Sequence, residues 1–212
     1  MQANIQAFDN DLEIVKMTEY EFQQADFEHP SALFILEDIL KGLIGGSLLY
    51  KPYFATFGLR GDENVLDFGC GGGAGSRCLA NILNKNGHLT CVDVSNYWTK
   101  RAVKRLKKYP NVECKAGDIR RLQIPDHSFD VISIFHVIHD IAPEERQDTV
   151  SVLCKKLKSD GTVFIREPIK KSHGMPMTEI RPLFSNAGLV ETGYQESKSE
   201  YSGRYRSAFA GA

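Results

Sequence analysis

The sequence lacks the features that would put it in a membrane, in an oxidising compartment or on nucleic acid. No stretch reaches the ~18 consecutive apolar residues of a membrane-spanning helix. The longest candidate, Ser31 to Tyr50, is interrupted by Glu37, Asp38, Lys41 and three glycines. The opening segment MQANIQAFDNDLEIVK has neither the basic nor the apolar region of a signal peptide. The five cysteines, Cys70, Cys78, Cys91, Cys114 and Cys154, are odd in number, and no pair has CxxC spacing. That pattern argues against a disulfide framework and against a zinc site. Neither sign of charge predominates: the formal net charge is −1, so there is no global pull towards nucleic acid or acidic lipid. Lys100, Arg101, Lys104, Arg105, Lys107 and Lys108 crowd one predicted helix and read as its solvated face, with an RNA or phospholipid contact as the alternative. Repeats and low-complexity tracts are absent. The expectation is a cytoplasmic protein without stable membrane insertion, monomeric or homodimeric. Its 212 residues, 42% of them hydrophobic, suit one α/β domain with a modest extension.

What is present is a regular alternation of periods. Strands are predicted at Val65–Phe68, His88–Asp93, Val112–Ala116, Phe129–Phe135 and Gly161–Glu167. Between them lie helices over Ala74–Leu83, from a Ser95 cap to about Lys108 before Pro110, and from Pro143 to Leu157. A helix over Met177–Ala187, ended by Gly188, precedes two closing strands, Leu189–Glu196 and Tyr205–Ala210, joined through Ser202-Gly203. Strand–helix alternation implies parallel strands with right-handed crossovers, and the closing pair implies an antiparallel edge. Residues 1–60 differ and are expected to form a helical extension to a main domain over 61–212. There Ser31 can cap a helix carrying Leu33, Leu36, Ile39, Leu40 and Leu43, Gly45-Gly46 breaks it, and Leu48–Leu59 holds Tyr50, Tyr53, Phe54 and Phe57. These helices are expected to pack against the main domain or lie over it.

The first strand stops at Gly69-Cys70-Gly71-Gly72-Gly73 and restarts as a helix at Ala74. Glycines let backbone N–H groups approach a ligand and supply positive φ. The run comes close to the dinucleotide fingerprint, and Asp93, at the end of the next strand, is placed to accept from ribose hydroxyls. These two features alone fit a nicotinamide cofactor as well as other adenosine cofactors. Two more discriminate. Asp67 stands before the first glycine, where a carboxylate repels a pyrophosphate but suits an ammonium or sulfonium. Gly117-Asp118-Ile119 follows the third strand, where an Asp can accept from an adenine amino group.

With Asp67-Phe68-Gly69-Cys70-Gly71-Gly72-Gly73, Asp93 and Gly117-Asp118-Ile119 in this order, the chain resembles the class I S-adenosylmethionine-dependent methyltransferases. Phe129-Asp130-Val131-Ile132 and Leu157-Lys158-Ser159-Asp160-Gly161-Thr162 are similar to that family's fourth strand and its entry to the fifth. The resemblance spans about residues 60–212, roughly 70% of the chain. It implies an α/β, Rossmann-like seven-stranded sheet, mostly parallel with an antiparallel last strand, beside the N-terminal helical extension. The implied cofactor is S-adenosylmethionine. By the resemblance Gly69, Cys70 and Gly71 approach its methionine end and Asp67 orients the amino group. Asp93 takes the ribose, Val94, Asp118 and Ile119 the adenine, and the backbone near Phe135 and His136 faces the amino group.

The acceptor belongs beyond the carboxyl ends of the strands, where Ile134-Phe135-His136-Val137-Ile138-His139-Asp140-Ile141 lies. Val137 to Ile141 with Pro143-Glu144-Glu145 resembles the His-Asp-Trp segment of small-molecule O-methyltransferases, with Ile141 in place of tryptophan. The resemblance makes His139 the general base and Glu167 a matching acidic position. A histidine that packs at a helix start is the alternative. Leu48–Phe57 is the candidate roof, its aromatics either stacking on a flat acceptor or filling the core. No metal is expected, because His136, His139 and the nearby carboxylate do not complete a site. The expected activity is methyl transfer to a small, apolar or aromatic acceptor, with oxygen as a candidate atom. A cofactor-binding protein without transfer and a nicotinamide oxidoreductase are the alternatives.

Overall fold

A computed structural model of the chain describes residues 26–40 and 48–208. Its elements run α1 (Ala32–Leu40), α2 (Lys51–Ala55), β1 (Asn64–Phe68), α3 (Ala74–Ile82), β2 (His88–Asp93), α4 (Asn96–Leu106), β3 (Val112–Ala116) and β4 (Phe129–Phe135). A 3-10 turn at Ile138–Asp140 leads to α5 (Pro143–Lys156), β5 (Leu157–Lys170), β6 (His173–Gly174), α6 (Met177–Asn186), β7 (Leu189–Glu196) and β8 (Glu200–Ser207). Leu43, Gly45-Gly46 and the last residues of the expected closing strand lie outside the described residues.

The strands form one sheet in the order β3-β2-β1-β4-β5-β8-β7, with β6 appended to β5. β1 to β5 pair in parallel. β8 runs antiparallel to both of its neighbours and sits inside the sheet, so β7 forms that edge. The short strands are apolar on both faces because both faces are covered. On one side Leu66, Ile132, Ile134, Val163 and Ile165 meet α5, α6, Tyr201 and Tyr205. On the other, Val65, Leu89, Cys91, Val131 and Phe164 meet α2, α3 and α4. Among the described residues no helix is long and apolar enough to cross a membrane.

Ser95 caps α4 by accepting from Trp98 N at 3.2 Å, and Ser31 Oγ accepts from Phe34 N at 3.3 Å at the start of α1. The closing hairpin differs from the sequence reading. The turn lies at Ser197–Ser199, where Ser197 Oγ accepts from Glu200 N at 3.0 Å. Ser202-Gly203 lies inside β8. Gly203 is there because the Tyr201 hydroxyl and the Tyr205 ring fill the space a Cβ would need, 2.4 Å and 2.8 Å from it. The N-terminal helix also differs in the face it buries. Leu33, Leu36, Ile39 and Leu40 are exposed, while Phe34 packs edge-on against Trp98 and Asp38 reaches α4. Tyr50, Tyr53, Phe54 and Phe57 are buried in the core of the α3 and α4 side, and Phe57 stacks on Phe164 at 3.9 Å.

Candidate active site

The carboxyl ends of β1, β2, β3 and β4 open onto one cleft of about 390 Å³. Every residue expected at the cofactor lines it: Asp67, Gly69, Cys70, Gly71, Asp93, Val94, Asp118, Ile119, Phe135 and His136. The turn between β1 and α3 is set by left-handed glycines. Gly69 has φ +74°, and a Cβ on it would stand 2.3 Å from Val137 Cγ2. Gly71, at φ +50°, has nothing within 4 Å of where a Cβ would lie, so any side chain there would enter open space.

Three carboxylates mark the cleft in different electrostatic states. Asp67 faces the α3 side and is buried, accepting from Ser76 Oγ at 2.6 Å. Burial pushes its carboxyl up to about 6, against the pull of that hydroxyl. Asp93 is also held above the usual range by burial. Its two oxygens accept from Gly71 N at 2.7 Å and Ser95 N at 3.0 Å, which ties the glycine turn to the start of α4. Asp118 is engaged by Arg120 through both oxygens, and Arg120 continues to Glu145 at 2.9 Å. The guanidinium keeps the Asp118 carboxyl low.

The acceptor side is built by the 3-10 turn. His136, at φ +56°, lines the cleft with its Nε2 3.0 Å from Glu200 Oε1. Burial holds its pKa below the ordinary value despite the nearby carboxylates. His139 does not line the cleft; Asp140 does. The His139 ring is buried, with Nδ1 2.6 Å from Glu167 Oε2 and Nε2 3.4 Å from Asp140 Oδ1. Burial disfavours its charge, but Glu167 and Asp140 outweigh burial and raise its pKa. Two partners lay beyond the reach of sequence reading. One is His173, whose Nε2 is 3.2 Å from His139 Nε2. The other is Arg120.

Comparison with known proteins identifies a methyltransferase domain. A family model described as a methyltransferase domain matches residues 65–161. The crystal structure of an S-adenosylmethionine-dependent methyltransferase from Aquifex aeolicus superposes with a TM-score of 0.69 at 20% identity, covering 84% of this chain and 97% of that one. Residues 65–161 thus carry a methyltransferase domain, on a fold shared with S-adenosylmethionine-dependent methyltransferases of known structure. A structural neighbour, the 1,6-didemethyltoxoflavin-N1-methyltransferase of Burkholderia thailandensis, was solved with S-adenosylhomocysteine and its acceptor bound. It matches at TM-score 0.64 and 16% identity over 82% of this chain and 83% of that one. Among curated proteins, the ubiquinone/menaquinone biosynthesis C-methyltransferase UbiE of Chromobacterium violaceum is 26% identical over 134 residues, 61% of this chain and 54% of that protein. The chain thus spans about half the length of the first curated relatives it matches.

The residues of the cleft fit S-adenosylmethionine, the cofactor that the sequence resemblance implies. Open space over Gly71 admits its methionine end, Asp67 can face an ammonium, and Asp93 has lone pairs left for a diol. Val94 presents 62% of its surface beside Trp98 for a planar base.

Helix α1 closes one side of the same cleft. Asp38 accepts from Arg101 Nη2 at 3.1 Å and Arg105 Nη2 at 2.9 Å, and Arg105 also donates to Gly72 O. Thus two of the four basic residues of α4, Arg101 and Arg105, turn inward to hold α1 over the glycine turn. Burial pushes the Asp38 carboxyl up, and the two guanidiniums more than reverse this. Asp38→Ala is expected to speed S-adenosylhomocysteine release about tenfold, equivalent to ~1.4 kcal/mol, with little change in association. Stopped-flow fluorescence of Trp98 measures both rates; an unchanged off-rate would show that the latch does not retain the cofactor.

Proposed function

We propose that the chain is an S-adenosylmethionine-dependent methyltransferase acting on a small aromatic acceptor bearing a hydroxyl, with that oxygen receiving the methyl group. The carrying observation is that the cleft continues past the glycine turn to an aromatic wall of Tyr50, Phe54 and Phe135, with Asp140 and His136 on its polar edge. Tyr50 and Phe135 lie 5.2 Å apart and Tyr53 supports Phe135 from behind at 5.3 Å. Such a wall is rigid because its members are also core residues, and it suits a flat ring.

S-adenosylmethionine supplies an electrophilic methyl group on a sulfonium. The chain's own contribution is to hold cofactor and acceptor in line and to receive the hydroxyl proton. Asp140 is the carboxylate at the acceptor edge, and burial raises its pKa. His139 stands behind it and, in this reading, is a positioning residue bridging Asp140 to the buried Glu167. Localisation in the cytoplasm belongs to the same proposal and is supported by the odd number and scattered spacing of the five cysteines.

A second reading, carbon methylation, is favoured by the C-methyltransferase relatives. One experiment addresses both. The full chain is incubated with methyl-labelled S-adenosylmethionine and a panel of phenols, catechols and hydroxyquinones, and products are analysed by mass spectrometry and NMR. Methyl ethers are expected. Asp140→Asn is expected to lower turnover about 100-fold or more, with S-adenosylhomocysteine affinity unchanged. Ring-methylated products would establish the second reading. Tight S-adenosylhomocysteine binding with no product across the panel would overturn the acceptor assignment.

A further inference from the structure

We propose that His139, Asp140 and His173 form a binding site for a divalent first-row transition cation at the acceptor end of the cleft. The short β5–β6 hairpin turns His173 back onto the 3-10 turn that carries the other two residues. One ligand-type atom from each lies within 4.8 Å of the other two. The closest separations are 3.2 Å between the two Nε2 atoms and 3.4 Å from His139 Nε2 to Asp140 Oδ1. Atoms bound to a common ion at ~2.1 Å stand roughly 3.0–3.4 Å apart in octahedral or tetrahedral geometry.

The protons argue the same way. Glu167 is fully buried; its Oε1 accepts from Val137 N at 2.9 Å and Ile138 N at 2.7 Å, while Oε2 meets His139 Nδ1 at 2.6 Å. A carboxylate so used can only accept, which places a ring proton on Nδ1. Nε2 is then a lone pair, turned towards a carboxylate oxygen and a second imidazole nitrogen. A single proton on His173 Nε2 serves only one of the two facing acceptors, His139 Nε2 or Asp140 Oδ1, whereas a cation serves all three atoms. The nearest guanidinium, that of Arg146, is committed to His139 O, Ile141 O and Glu179. A cation held by the three would satisfy them all.

The arrangement also has the outer shell of a metal site, a carboxylate that fixes the tautomer of a ligating histidine. Two imidazoles with one carboxylate favour Zn²⁺, Fe²⁺ or Mn²⁺ over Mg²⁺ and Ca²⁺, which prefer all-oxygen sets. Three protein ligands leave a position open, and Asp140 lines the cleft. Held by Asp140 through Oδ1 alone, the cation would take an oxygen of the acceptor while Oδ2 stays free for the hydroxyl proton, a role that rests on the methyl-transfer reading above, whereas the site itself does not.

The test needs no acceptor and no turnover. The full chain, stripped with chelator and dialysed, is titrated with Zn²⁺ by calorimetry and with Co²⁺ by visible absorption. One equivalent should bind in the micromolar range or tighter. His173→Ala, at an exposed position, and Asp140→Asn should each weaken binding at least tenfold while S-adenosylhomocysteine still shifts the melting temperature. Mg²⁺ should not compete. Substoichiometric binding, or Zn²⁺ affinity unchanged in His173→Ala, would overturn the proposal and leave a protonated His139 as the positive charge in the cluster.

Discussion

Asp67→Asn is expected to weaken S-adenosylhomocysteine binding by roughly 30- to 100-fold and, at neutral pH, to stabilise the ligand-free protein. Both effects come from one buried carboxylate. Its folded pKa of about 6 stands against the ordinary carboxylate value of 3.8, a difference worth on the order of 3 kcal/mol. A carboxyl whose pKa is raised on folding stabilises the native state fully below its unfolded pKa. That contribution is lost as pH rises through the folded value. Ligand-free wild type should therefore lose stability between about pH 4 and pH 6, and the Asn variant should lose less across the same window. Ligand binding reverses the sign. An ammonium beside Asp67 restores the interactions that burial removed, and losing such a charge-assisted hydrogen bond costs about 2–3 kcal/mol. In wild type the affinity should rise with pH through 6 as binding displaces a proton from Asp67, a release that calorimetry in buffers of different ionisation enthalpy detects. Equal affinity of variant and wild type at pH 7.5 would remove Asp67 from the cofactor site.

Much of the cofactor side of the cleft was legible in the sequence, for a topological reason. In a doubly wound sheet each strand ends beside the switch point, so Asp67, Asp93 and Asp118 converge although they are far apart in the chain. Local rules also located most elements, because buried parallel strands are short apolar runs bounded by glycine, proline or a capping serine. They failed where a residue answers to a distant partner. Gly203 reads as a turn, yet it is a gap left for two tyrosines within β8. Leu33, Leu36 and Leu40 repeat at helical spacing, yet the side of α1 that engages the domain carries Phe34 and Asp38. Periodicity shows that a stripe exists and says nothing about what covers it. The acceptor side was hardest to read. His139 meets Glu167 across 28 positions and His173 across 34, and only the β4–β5 pairing and the β5–β6 hairpin bring them together. Arg120 likewise gives no local sign that it will occupy Asp118.

Glu167→Gln is expected to produce the largest loss of stability, about 3 kcal/mol, or roughly 6–12 °C in Tm for a chain of this size. The carboxylate lies at 0% exposure on β5 and serves three donors: Val137 N, Ile138 N and His139 Nδ1. A glutamine can still accept the two backbone N–H groups through its carbonyl. Its amide nitrogen then faces the N–H of His139, donor against donor, at a position buried from solvent. The ring must switch tautomer or turn, and either move alters what Nε2 offers to Asp140 and His173. Glu200→Gln supplies the contrast. Glu200 also pairs with a histidine and an arginine, His136 and Arg166, but it is partly exposed, so its loss should cost 1 kcal/mol or less. Urea unfolding of both variants decides the matter, provided the m-value is unchanged. Loss of the larger amount in Glu167→Gln alone would show that the segment from Val137 to Asp140 is held in place by one buried carboxylate. Equal, small losses would mean that backbone pairing of β4 with β5 suffices, and that Glu167 serves only as a partner for the His139 ring.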